Sequence, residues 1–324
     1  MLNDLQLHVS VSVEDSDIAR FNALKSGESI TISDVTAEVM LLAIREYEET
    51  DGLFNPAVYP IVDLWGFTPR FNKSRYTPVE PYDRLMDGEG MPLPDAAWVE
   101  RLLPLVDFSG IELKREQEDW QLIKHTPDAE FESSLLSAKL DLGGLVKGYA
   151  CDRAKEILEK YGVTEGYFTC GGSSMCILKG VGEEETWQLT LRKPRNGSNN
   201  QAYYATLNLK DTALSTSNDI SQAWVRDGVV WAHILDPRSG WPINCGADGY
   251  HGGVISVTLT CESAARGDAL STALMLMGED AAEWLQQHPE VEAVLVTEQT
   301  DGTLHLFSTV AEDKKMTLTD EAYR

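Results

Sequence analysis

Long hydrophobic runs are missing from this sequence: no apolar stretch approaches the roughly 20 residues that a membrane-spanning helix needs. The opening MLNDLQLHVSVSVED has neither the basic leader nor the small-residue cleavage site of a signal peptide. Read as written, the chain is expected to be soluble, untargeted and cytoplasmic. Positive charge is also scarce, with 27 Lys and Arg against 52 Asp and Glu, a formal net charge of -25. Such a surface repels nucleic acid and anionic lipid, so any phosphate ligand must be held by a local cation or a metal. Cysteine is sparse and unpatterned. Five residues, Cys151, Cys170, Cys176, Cys245 and Cys261, are odd in number and contain no CxxC pair. That excludes a disulfide framework and a thiolate zinc site and predicts mostly buried, reduced thiols. No internal repeat or low-complexity tract is present.

What remains is a composition that is 43% hydrophobic over 324 residues, enough for one large core or two modest ones. SDVTAEVMLLAIREYEET (33–50) predicts a helix capped by Ser33 or Asp34 and stopped at Gly52. The polar, proline-bearing stretch at about 68–94 predicts a surface loop. A second helix follows, with Trp98, Leu102 and Leu105 on one face. GYFTC, WQLTLR, YYATLNL, VVWAHIL and GVISVTLT read as strands, followed by an alanine-rich helix from about Ser263 to Met277 and a short helix around Trp284. EAVLVT and TLHLFS close the pattern as strands. Strands cluster instead of alternating with helices, so the expected class is α+β, a largely antiparallel sheet core flanked by helices.

Four segments carry possible chemistry. In SAKLDLGGLVKGYACDRAKEIL (137–158), a short strand is expected to turn into a helix at Gly143 and Gly144, with Lys147 in the first turn. A helix N-terminus plus a cation suits phosphate; a plain tight turn is the alternative. In CESAARGDALSTALMLMG, Asp268 and Thr272 stand four apart, with Ser271 adjacent. Together they could present oxygen to a hard cation such as Mg²⁺, but the spacing taken alone favours a solvated Asp268 with Thr272 packed among the alanines. VVWAHILDPRSGWPIN predicts a strand carrying His233 that ends at a rigid turn beside Trp241, shaped either to clamp a planar ligand or simply to close a hairpin. DGLFNPAVYPIVDLWGF places Phe54, Tyr59 and Trp65 where they line either a ring-binding wall or ordinary core.

In order and spacing these segments resemble one family, the ApbE-type flavin transferases, or FAD:protein FMN transferases. DLGGLVKGYACD (141–152), GGS (171–173), AHILDPRSG (232–240) and GDALSTAL (267–274) match the family's D-L-G-G-[IL]-x-K-G-Y-x-x-D, G-G-[NS], [ST]-H-I-[IL]-D-P-[RK]-[ST]-G and A-D-[AG]-L-[SD]-T-A-L segments. Upstream, DGLFNPAVYPIVDLWGF and EDSDIARFNALKSG match further family stretches. The resemblance runs from about residue 12 onward and implies a single FAD-binding catalytic domain across residues 1–324.

The resemblance implies flavin contacts at Leu53, Phe54, Asn55, Asp141, Lys147, His233 and Ile234. It implies Mg²⁺ ligands at the Gly144 carbonyl, Asp268, Ser271 and Thr272. The implied reaction is attack by a Thr or Ser hydroxyl of an acceptor protein on FAD, leaving FMN on the acceptor and releasing AMP. Lys147 and Asp268 serve the phosphates, and His233 or an oxygen held by the cation assists deprotonation. The expected acceptor belongs to a membrane-associated redox system, and the family habit is extracytoplasmic and membrane-anchored. Four departures stand out. The family's opening Met-Gly-Thr strand is not seen, Gly267 and Asn55 replace a usual alanine and aspartate, and Ser12 stands where some relatives place tyrosine. The alternatives are an FAD pyrophosphatase using water and a non-catalytic flavin-binding protein.

Overall fold

Asp17 shows how local chemistry sets the first elements. In the computed structural model, which describes residues 2–68, 78–79, 82–87, 93–131, 134–180, 182–195, 201–310 and 315–324, Ser16 caps the short helix Asp17–Asn22. Asp17 Oδ2 accepts from the Ser33 backbone N–H, the Ser33 hydroxyl and the Thr36 hydroxyl. Ser33 in turn caps the helix Asp34–Glu49. A buried carboxylate thus binds two helix starts together. The chain divides into two compact units, and these elements belong to the first, Met1–Ser74, Gly90–Val146 and His233–Pro242. Its antiparallel sheet runs in the order Ser29–Ile32, Asp119–Lys124, Ile111–Glu116. Ile18, Phe21, Val39, Met40, Ala43 and Trp65 are among its fully buried side chains.

The second unit, Arg75–Glu89, Lys147–Ala232 and Ile243–Arg324, is built on a six-stranded antiparallel sheet. Its order is Leu304–Ser308, Glu292–Glu298, Gly253–Cys261, Thr212–Asn218, Ser174–Ile177, Tyr167–Cys170. The helix Ala264–Met277 packs on the central strands Thr212–Asn218 and Gly253–Cys261. Nearly every residue of that helix from Ala264 to Leu276 is buried. A helix with small or apolar residues on all sides belongs in a protein interior, and this one is there. The strands Trp187–Arg192, Tyr203–Leu209 and Met316–Leu318 form another antiparallel sheet. The structure is α+β, as the clustering of strands predicts.

Several expectations need correction. Ser137–Leu142 forms no strand, because its backbone is held by individual groups instead of a ladder. Asn22 accepts from the Leu140 N–H at 2.7 Å and donates to the Leu140 carbonyl at 2.9 Å, while the Asp141 N–H donates to Pro56 O. The strand expected to carry His233 is Val229–Ala232 and stops one residue short. The chain turns there toward a single bridge between Leu235 and Pro242. Within the stretch expected as a loop, Pro78–Val79 and Tyr82–Asp87 are strands, and the latter lies parallel beside Ala223–Arg226. Pro78 sits in the outermost strand, where a missing N–H breaks no ladder. Residues 69–77, 80–81 and 88–92 of that stretch lie outside the described residues. The second helix is Ala96–Leu102, and a 3₁₀ turn over Leu103–Leu105 tightens the spacing, so Val99, Leu102 and Leu105 are buried while Trp98 is half-buried. All five cysteines are free, and three are buried. No described helix is long and apolar enough to cross a membrane.

Candidate functional site

Asp268 lies in the second turn of the Ala264–Met277 helix and is 6% exposed. A buried carboxylate requires donors, and this one has them on both oxygens. Oδ2 accepts from the Gly148 N–H at 2.7 Å, and Oδ1 accepts from the Ser174 hydroxyl at 2.6 Å. Burial pushes the Asp268 carboxyl up from its ordinary value, opposed by the charge of Lys147 and by the hydrogen bonds from Ser174 and Gly148. Ser271 and Thr272 follow on the same helix, and their hydroxyls donate to the Asp268 carbonyl at 3.1 and 3.3 Å. Asp268, Ser271 and Thr272 thus share one stretch of helix, with both hydroxyls turned back onto its main chain.

Close backbone approach makes this possible. A Cβ placed on Gly148 would stand 2.0 Å from the Ala264 carbonyl oxygen, so only glycine lets the Gly143–Lys160 helix come this near to the other. Four residues on, Asp152 reaches across and caps that helix: its carboxylate accepts from the Ala264 N–H at 2.8 Å, the Ala265 N–H at 2.9 Å and the Ser263 hydroxyl at 2.7 Å. A carboxylate at a helix N-terminus satisfies open donors and complements the dipole. Lys147 is half-buried, and its stem passes Gly171, where an added Cβ would lie 3.3 Å from the Lys147 Cδ. Gly171 and Gly172, both at positive φ, make the turn between Tyr167–Cys170 and Ser174–Ile177. The GGS segment is thus a hairpin turn against the lysine stem.

The remaining predicted site residues lie in the first unit. Phe54 is buried, with its N–H donating to the Thr50 hydroxyl at 3.0 Å and its ring edge close over Gly144, where an added Cβ would be 3.2 Å from Cε2. Leu53 precedes it, half-buried. The Asn55 side chain accepts from the Ala57 N–H at 2.9 Å and starts the Pro56–Val58 turn, a role that aspartate would fill equally well. Asp141 Oδ1 accepts from the Gly143 N–H at 2.8 Å at the start of the Gly143–Lys160 helix, leaving Gly144 exposed in its first turn. His233 is half-buried with its ring 6.4 Å edge-on from Phe67, and Ile234 beside it is buried. The loop beyond is tied by Gly240 N–H to Asp236 O, by Asp236 N–H to Trp241 O, and by Trp65 Nε1–H to Gly240 O at 2.9 Å.

Three serines that the sequence reading did not single out belong to the Asp268 group. Ser174 donates to Asp268 itself, Ser215 is fully buried against the same helix and donates to the Ala264 carbonyl at 3.3 Å, and the Ser217 hydroxyl shares hydrogen bonds with Ser271 at 2.8 Å and Thr272 at 3.3 Å. Ser215 and Ser217 lie two apart, and so on one face, of the central strand Thr212–Asn218. Among the described residues no cluster of three or more His, Cys, Asp or Glu side chains gathers as metal ligands. A cation here would draw on one carboxylate, hydroxyls and main-chain carbonyl oxygen, a donor set suited to a hard ion.

The α+β fold and the arrangement around Asp268 define a class that comparison makes specific. The model of the ApbE family matches residues 1–295. This chain belongs to the ApbE family. It is 27% identical to the FAD:protein FMN transferase of Vibrio cholerae over 303 residues, covering 93% of this chain and 78% of that relative. Against the FAD:protein FMN transferase of Haemophilus influenzae it is 26% identical over 323 residues, covering 99% and 82%. Among solved structures it is similar to the Pseudomonas stutzeri flavinyl transferase ApbE in its apo form, at 25% identity and a TM-score of 0.73, covering 96% of this chain and 84% of that one. The ApbE protein of Thermotoga maritima gives 25% identity and a TM-score of 0.71, with 93% and 84% covered.

Proposed function

We propose that this chain is a Mg²⁺-dependent FAD:protein FMN transferase that attaches FMN to a Thr or Ser of an acceptor protein and releases AMP. The observation that carries the reading is the buried Asp268 carboxylate, gripped by Gly148 and Ser174 with the Thr272 hydroxyl one turn on, in a chain of the ApbE family. An ionised carboxylate offers about four lone-pair positions. Two accept from Gly148 and Ser174, which leaves room for a cation, so the residues fit Mg²⁺. Asp268, Thr272 and Ser271 would hold it, and the ion when bound would neutralise charge on the pyrophosphate oxygens.

The chain's own residues then bind and orient. Leu53, Phe54, Asn55, Asp141 and Ile234 serve the flavin half, and Lys147 supplies a positive charge to the phosphates. The acceptor hydroxyl oxygen forms a bond to the phosphorus on the FMN side, the bond from that phosphorus to the bridging oxygen breaks, and AMP leaves with that oxygen. His233 takes the hydroxyl proton. The likeness to FAD:protein FMN transferases supports the substrate pair, and the Asp268 geometry supports the cation. The acceptor follows from the resemblance, as a protein of a membrane-associated redox system.

Asp268→Ala tests the cation role. We expect Mg²⁺-dependent AMP release from FAD to fall at least about 100-fold, and we expect a comparable loss for His233→Ala, within the range of a lost general base. Full turnover in Asp268→Ala overturns the cation assignment, and full turnover in His233→Ala removes the histidine from the proton step.

A further inference from the structure

Ser217 has no part in the reading above, yet its hydroxyl lies where two of the proposed ligand hydroxyls meet. It ends the face of the Thr212–Asn218 strand that Ala213 and Ser215 turn toward the Ala264–Met277 helix and is half-buried, 2.8 Å from Ser271 Oγ and 3.3 Å from Thr272 Oγ1. Neighbouring hydroxyls on the strand are engaged elsewhere: Thr216 pairs with Thr258 at 2.9 Å, and Ser215 donates to the Ala264 carbonyl at 3.3 Å. We propose that Ser217 is a positioning residue of the cation site, fixing the proton of Thr272 so that the Thr272 lone pairs face away from the protein. The inference rests on reading Asp268 and Thr272 as Mg²⁺ ligands.

Proton counting supports it. A hydroxyl donates once and accepts twice, and three hydroxyl protons here serve the Asp268 carbonyl and one another. Ser271 donates to the Asp268 carbonyl and so accepts from Ser217 at the shorter distance. The Thr272 proton then lies between the Asp268 carbonyl and Ser217 Oγ, both at 3.3 Å, and both are acceptors toward it. With its proton held on the protein side, Thr272 presents lone pairs outward, which is what a hard cation requires. Without Ser217 the Thr272 hydroxyl keeps one long acceptor and rotates more freely. Partners one step removed from a metal typically set its affinity by 10- to 100-fold.

The test uses Mn²⁺ as the probe, with the purified full chain titrated in the presence and absence of FAD, free Mn²⁺ read by electron paramagnetic resonance, and FAD alone as the blank. Ser217→Ala is expected to weaken Mn²⁺ binding about tenfold, and Ser217→Thr, which keeps the hydroxyl, to restore it to within about threefold of the starting chain. Urea unfolding in EDTA shows that each variant is folded. Equal Mn²⁺ affinity in the starting chain and Ser217→Ala, even with a lowered unfolding midpoint, overturns the role of Ser217 and leaves the cation site standing. A starting chain that binds no Mn²⁺ with or without FAD overturns both.

Discussion

At the scale of single residues, Gly267 is the departure from the family pattern that the structure explains most directly. Glycine inside a helix gives up roughly 1 kcal/mol relative to alanine, so an alanine there looks like an improvement. A Cβ at this position, however, would stand 2.8 Å from Ser215 Oγ and 3.1 Å from Ser215 Cβ, and Ser215 is fully buried on a central strand. Overpacking of that kind costs about 1–3 kcal/mol. Gly267→Ala is therefore expected to lower stability by about 1 kcal/mol net, read as a lower urea midpoint, and a raised midpoint would contradict the packing described around Asp268. The residues themselves were legible to different degrees. Asp268 and Thr272 stood out by their four-residue spacing, because a helix turns that spacing into a shared face. Ser217 and Ser174 did not, because a serine on a strand looks the same in sequence whether it faces solvent or a carboxylate.

At the scale of elements, the end of one helix is fastened by a residue from the middle of another. Asp152 accepts three hydrogen bonds from the start of the Ala264–Met277 helix, and Asp268 follows one turn later. Hydrogen bonds to a charged group contribute about 1.5–3 kcal/mol. We expect Asp152→Ala to cost about 2–3 kcal/mol in urea unfolding at unchanged slope and to lower turnover as well, with Asp152→Asn intermediate. Unaltered stability in Asp152→Ala would mean that Ser263 alone suffices as the cap. The alanine-rich helix and most of the antiparallel strands could be read from the sequence, since their periodicities are long and clean. The central strand Thr212–Asn218 could not, because TALSTSN is rich in small polar residues whose burial comes only from the helix laid across it. The segment before Gly143 misled for the opposite reason: its Leu140 and Leu142 are buried as in a strand, but Asn22 and Pro56 take the place of a neighbouring strand.

At the scale of the whole molecule, the two compact units are each assembled from three separate stretches of chain, and the Gly143–Lys160 helix contributes residues to both. This explains why composition alone gave no domain boundary: no linker separates the units in sequence. The strongly acidic surface, at net -25, makes local cations such as Lys147 and a bound metal the natural means of holding a pyrophosphate. The account's central claim is group transfer to a protein. The purified chain is incubated with FAD and Mg²⁺, with and without a threonine-bearing acceptor domain, while AMP, free FMN and the acceptor mass are quantified together. The account predicts AMP matched one for one by acceptor carrying the added mass of FMN. AMP matched by free FMN regardless of acceptor would make the chain a pyrophosphatase, and FAD left intact in both mixtures would contradict catalysis altogether.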